Sequence, residues 1–194
     1  MSIGRQSRIE LAGNDACQDL VACMLVASLG NMGSAKILVV GAGCTAQEII
    51  AMARLEPGWR FNAVDPSGPM LETAKHQLAV NNVLERTDVH LGHVEDLAAD
   101  ESCDAATLIG VLHHLDGDDA KGEILRSIRA RLLSGAALIV AGNQYAYTSQ
   151  PLLLVAWVQR WRQHGASPDE VKVKLGKFFK ALTFPILKRL FRSF

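Results

Sequence analysis

The sequence has no net charge: 20 Lys and Arg stand against 20 Asp and Glu in 194 residues. That balance offers no field for nucleic acid, and no nucleic-acid reading motif stands out. The four cysteines (Cys17, Cys23, Cys44, Cys103) form no Cys-x-x-Cys pair and have no His at zinc-site spacing. No metal is therefore assigned. No apolar run approaches the roughly 18 residues that a membrane span needs; the longest, Pro151 to Val158, is far shorter. The first residues lack the apolar stretch of a signal peptide. Repeats, low-complexity segments and a nucleophile–base–acid triad are missing too. The expectation is a cytoplasmic protein with reduced thiols.

What is present is an ordinary globular composition, 49% hydrophobic and 21% charged. The neutral total hides a split. Residues 1–150 hold 11 Lys/Arg against 18 Asp/Glu, whereas residues 151–194 hold 9 against 2. The chain accordingly reads as an α/β domain over 1–150 and a basic helical tail over 151–194. Asymmetry of this kind fits a tail that packs on its own body, a homodimer seam, or an anionic membrane surface, in that order.

Periodicity places the elements. Asn14 caps an apolar helix over Ala16–Leu29, and Lys36–Val40 is a continuous β-branched run, as in a buried parallel strand. A glycine-rich turn at 41–45 leads into a helix over 46–55. Arg60–Val64 is a second strand, and Ser67 opens a helix to Val80. Val89–Gly92 and Asp104–Gly110 follow as strands, then a helix over 116–133. Ser134-Gly135 turns into a fifth strand, Ala136–Val140. Five alternations predict a doubly wound, Rossmann-like parallel sheet of about five strands, with helices on both faces. Beyond Pro151 the pattern is helical only, with Ser167-Pro168-Asp169-Glu170 as a helix start.

Two features carry chemistry. Gly41-Ala42-Gly43-Cys44-Thr45-Ala46 lies between a buried strand and a helix, where glycines permit a tight turn and close approach of a ligand. Asp65 ends the next strand, 24 residues after Gly41, where a carboxylate can accept both hydrogen bonds of a ribose diol. Together they point to an adenosine-type ligand across the carboxyl ends of the first strands. The turn also satisfies the relaxed dinucleotide pattern, so a nicotinamide or flavin cofactor stays open on these residues alone.

The following residues resemble class I S-adenosylmethionine-dependent methyltransferases. Asp65-Pro66-Ser67-Gly68-Pro69-Met70-Leu71-Glu72-Thr73-Ala74 is similar to the family's segment after the second strand. Gly92-His93-Val94-Glu95-Asp96-Leu97 looks like its adenine-binding segment, and Ile109-Gly110-Val111-Leu112-His113-His114-Leu115 like the exit of its fourth strand. The resemblance covers residues 36–140. It implies S-adenosylmethionine as cofactor, S-adenosylhomocysteine as product, and a small-molecule acceptor.

By the same resemblance, Gly41 and Gly43 line the methionine side and Asp65 binds the ribose, with Ala42, Pro66, Met70, His93 and Gly110 as further cofactor-binding candidates. Val94 packs on the adenine, with Glu95 or Asp96 near its amino group. His113 or His114 is the candidate base, since imidazole titrates near neutrality. Asn143, Gln144, Tyr145 and Tyr147 share that rim. The chain departs from the family at Val39, where an acid is usual, and at Thr45, where a third glycine is usual. Two rival readings are an interaction protein that kept the fold and lost turnover, and a nicotinamide-dependent oxidoreductase. In the tail, Trp157 and Trp161 share a helix face with Leu153 or Leu154. Phe178, Phe179, Leu182, Phe184, Ile186, Leu187, Leu190 and Phe191 form a second apolar group.

Overall fold

A computed structural model describes residues 14–30, 32–99, 103–142 and 151–176. The chain divides into two compact units, residues 15–143, and residues 1–14 with 144–194. The larger unit is built on five parallel strands: β1 (Lys36–Val40), β2 (Arg60–Asp65), β3 (Thr87–Leu91), β4 (Cys103–Ile109) and β5 (Leu132–Ala141). Their order is β3-β2-β1-β4-β5, so the chain reverses direction across the sheet at β1, between β2 and β4. Four helices belong with them: α1 (Asn14–Leu29), α2 (Gln47–Leu55), α3 (Gly68–Val80) and α4 (Gly117–Arg129).

Strand alternation sorts the core into two layers. Ile37 and Val39 of β1 join Phe61, Ala63 and Ala105 in one, beneath Ala22 and Leu25 of α1, Ile49 and Met52 of α2, and Leu71 and Leu78 of α3. Leu38 and Val40 face the other way, with Val64, Ala106, Leu108 and Ile128 of α4. β1 is thus apolar at every position because both its faces are covered. Each fully buried Ile or Leu contributes about 1.5–3 kcal/mol relative to exposure.

Most elements match their sequence expectations within a residue or two. The exception is the α4–β5 boundary. The helix stops at Arg129 rather than 133, and β5 starts at Leu132 rather than Ala136. Ser134 and Gly135 are not a turn but an irregularity inside the strand: Cys103 pairs with Leu132, and Ala105 with Ala137. Gly135 has φ 81°, a left-handed conformation that lets the extra residues loop out without ending the strand.

In the smaller unit, α5 (Pro151–Gln163) precedes a helix that begins at 168. Its start is a reciprocal capping box: Glu170 N–H donates to Ser167 Oγ at 3.2 Å, and Ser167 N–H to Glu170 Oε2 at 2.7 Å. The cap prevails over the strand-like alternation of Val171 to Leu175. Trp161, Ala166 and Val171 form a small core, with Trp157 edge-on to Trp161 at 6.3 Å and Lys174 5.5 Å from the Trp161 ring. The side chains of Leu153 and Leu154, the apolar group from Phe178 to Phe191, and Asn143 to Tyr147 lie outside the described residues. No described helix is long and apolar enough to cross a membrane.

Candidate functional site

The carboxyl ends of β1, β2 and β4 meet where strand order reverses, the usual crevice for ligands in open α/β sheets. The glycine turn is tied directly to β2. Gly41 and Ala42 N–H both donate to Val64 O, at 2.8 and 3.2 Å. Gly43 N–H donates to Asp65 Oδ2 at 3.0 Å, and Ser67 N–H to Asp65 Oδ1 at 2.8 Å. One carboxylate therefore fixes both the turn after β1 and the start of α3. Asp65 is only 6% exposed, yet each of its oxygens has a second lone pair for a ribose hydroxyl. Its backbone carbonyl accepts from Gly92 N–H at 3.1 Å, which brings the end of β3 into the same cluster.

The glycines differ in what they leave open. Gly41 has φ 78°, and a Cβ there would stand 2.3 Å from Val111 Cγ2, so the exit of β4 already fills that space. At Gly43 (φ 61°) the nearest atom to an added Cβ is 3.9 Å away, and at Gly110 (φ 70°) nothing lies within 4 Å. Gly43 and Gly110, rather than Gly41, border open space. Gly110 N–H donates to Ala141 O at 2.8 Å, so it is anchored to β5.

Beyond β3, the Val94–Asp96 turn is held from both ends. His93 N–H donates to Asp96 Oδ2 at 2.7 Å. Arg131 reaches back from the start of β5 to donate to Glu95 O at 2.9 Å, a brace that local sequence does not announce. Val94 is buried in the core, while His93, Glu95 and Asp96 are exposed. Pro66 and Met70 are exposed beside α3.

On the β4 side, the rings of His113 and His114 lie against each other, tilted by 40° with centroids 3.9 Å apart. Burial, and then the neighbouring His114, lower the pKa of His113, so it is held as a neutral base. Among the described residues His113 Nδ1 is buried without a hydrogen-bond partner, whereas His114 is exposed.

Glu48, on the first turn of α2, was not among the residues picked out by sequence. It is 2% exposed, and burial pushes its carboxyl up to about 8, tempered by the hydroxyl of Thr107 on β4. Glu48 Oε2 and Thr107 Oγ1 nonetheless lack well-formed hydrogen bonds. The available signal was its place in Gln-Glu-Ile-Ile-Ala-Met, where 48, 49, 52 and 53 form the inward face. Among the described residues no group of His, Cys, Asp and Glu is arranged to hold a metal.

Comparison with known proteins agrees with this architecture. Residues 38–138 match the family model described as a methyltransferase domain. A search of curated proteins finds no match. Among solved structures, a candidate O-methyltransferase from Nostoc punctiforme PCC 73102 is 25% identical with TM-score 0.55. The alignment covers 65% of this chain and 36% of that one. The [4+2]-cyclase SpnF is also 25% identical with TM-score 0.55, covering 65% and 44%. The glycopeptide N-methyltransferase MtfA, solved with S-adenosylmethionine, shares the fold at 21% identity and TM-score 0.53, covering 63% and 53%. The chain thus spans about a third to a half of the length of these proteins. Neither the nicotinamide reading nor the interaction-protein reading gains support from them.

Proposed function

The chain belongs to the methyltransferase domain family, and from that premise we propose that it transfers a methyl group from S-adenosylmethionine to a small-molecule acceptor. The observation that carries this reading is the Gly43–Asp65 link. A buried carboxylate at the tip of β2, tied to the glycine turn of β1, keeps unused lone pairs at the crevice. That geometry suits a ribose diol.

When bound, the cofactor supplies an electrophilic methyl on a positively charged sulfur. This chain's residues would hold and orient it. Asp65 would accept from the ribose, with Pro66 and Met70 beside it. Ala42, Gly43 and Gly110 would border the amino-acid end, with Gly41 packed against Val111 and shaping the turn behind them, and His93, Val94, Glu95 and Asp96 would border the adenine. Alignment of acceptor and methyl supplies much of the acceleration in such a displacement. His113, neutral and at the exit of β4, would take the acceptor's proton; exposed His114 is the weaker candidate. We also propose a cytoplasmic setting, in keeping with unbridged Cys17, Cys23, Cys44 and Cys103, and a homodimer through the basic tail.

Calorimetric titration with S-adenosylmethionine and S-adenosylhomocysteine tests the cofactor. Binding by the wild type that Asp65→Ala removes supports the assignment. A folded wild-type protein that binds neither ligand sinks it.

A further inference from the structure

We propose that Glu48, with Thr107 beside it, binds the ammonium group at the amino-acid end of the cofactor, an inference that rests on the cofactor reading above. A ligand with its ribose at Asp65, on the β2 tip, and its adenine toward the turn after β3 must send its other end across β1 toward β4. Glu48 and Thr107 lie on that side. Thr107 is the register partner of Val39 on β1, and Glu48 stands in the first turn of the helix that follows the glycine turn. Val39 is apolar, so β1 itself offers no acid there.

The two side chains are unexplained as structure alone. Thr107 is 0% exposed and Glu48 2% exposed; the Thr107 hydroxyl stands near enough to temper the Glu48 carboxyl, yet neither Oγ1 nor Oε2 makes a well-formed hydrogen bond among the described residues. Buried polar atoms are nearly always paired, and an apolar pair of equal volume would be cheaper at this spot. Gln18 Oε1, on the buried face of α1, is a third unpartnered oxygen. It neighbours Cys17, whose thiol is raised by burial and then by the charge of Glu48. An ammonium has three N–H donors and no acceptor, so a set of buried acceptor oxygens suits it better than an anion or a neutral carbonyl.

Charge bookkeeping makes the inference measurable. Burial holds Glu48 protonated at neutral pH in the free protein, with its pKa near 8. An ammonium beside it favours the carboxylate, so the proton leaves Glu48 for the buffer as the ligand binds. The titratable group that faces Glu48 from a neighbouring element is Cys17 of α1; β4 presents Thr107, which does not titrate in this range.

The test is calorimetry at pH 7 in two buffers of different protonation enthalpy. The probes are S-adenosylhomocysteine, which carries the ammonium, and 5′-methylthioadenosine, which keeps the adenosine and lacks the amino-acid end. Wild type should release about one proton per S-adenosylhomocysteine and none with methylthioadenosine. Glu48→Gln should abolish the release and weaken S-adenosylhomocysteine about tenfold or more, the size of a lost charge-assisted hydrogen bond. Its affinity for methylthioadenosine should be unchanged, which also shows an intact crevice. Cys17→Ser should keep the release. Wild-type binding without proton release overturns the inference with no variant needed, as does Glu48→Gln behaving like wild type; both leave the cofactor reading standing. Failure of wild type to bind either probe removes both.

Discussion

The two sides of the crevice treat their polar atoms differently. On the β2 side both oxygens of Asp65 accept backbone N–H groups, and the Gly41 and Ala42 amides find Val64 O. On the β4 side, Glu48 Oε2, Thr107 Oγ1 and His113 Nδ1 are buried without a well-formed hydrogen bond among the described residues. The first side is a scaffold that is complete without a ligand. The second stores unsatisfied groups, the usual mark of positions kept for chemistry rather than stability. Substitutions should therefore destabilise the first side and relieve the second.

The largest effect expected is on the pH dependence of folding. Glu48 titrates near 8 in the native protein against a reference of 4.5. Below 4.5 both states hold the proton. Between 4.5 and about 8 only the native state does, so stability is lost as pH rises through that window. The loss attributable to Glu48 is on the order of 5 kcal/mol. Glu48→Gln should flatten that slope and make the variant the more stable protein at pH 8.5. Urea unfolding at pH 5 and pH 8.5 measures it; parallel slopes for the two proteins would mean Glu48 is hydrated or paired and the contrast is false.

Asp65→Ala should cost about 2–3 kcal/mol at neutral pH, since two N–H groups lose a charged acceptor. Asp65→Asn, which keeps one acceptor oxygen, should recover roughly half of that. Equal stability of all three proteins in thermal melts would show that the turn does not depend on this carboxylate.

Gly41→Ala comes next, at about 1–3 kcal/mol, because the new Cβ meets a stiff, β-branched Val111 at 2.3 Å and a φ of 78°. Val111→Ala in the same chain should restore the steric part and leave about 1 kcal/mol of backbone cost. If the double variant is no better than the single one, Val111 is not what demands glycine there.

This contrast also divides what the sequence revealed from what it hid. β1, the glycine turn and Asp65 were legible because each is a local pattern: an apolar run, a turn that only small residues permit, an acid at a strand end. The α4–β5 boundary was misplaced because Gly135 reads as a turn in one dimension and acts as an irregularity only once β4 is alongside. Glu48 was invisible for a related reason. An acid on a first helical turn normally faces water and helps the helix dipole. Only the packing of the layer that holds α1, α2 and Val39 buries it, and nothing local encodes that packing. The brace from Arg131 to the turn after β3 spans 36 residues and is equally nonlocal.

The smallest expected effect discriminates best. Thr107→Val exchanges a hydroxyl for a methyl of similar shape at a fully buried site. At a well-paired hydroxyl this change costs about 1 kcal/mol, but here the hydroxyl makes no well-formed hydrogen bond, so stability should hold or rise slightly. The variant should still bind S-adenosylhomocysteine more weakly than wild type while binding methylthioadenosine equally. A destabilised Thr107→Val would show that the hydroxyl already satisfies Glu48 in the free protein. The β4 side would then be as complete as the β2 side, and the reason for reserving it for a ligand would be gone.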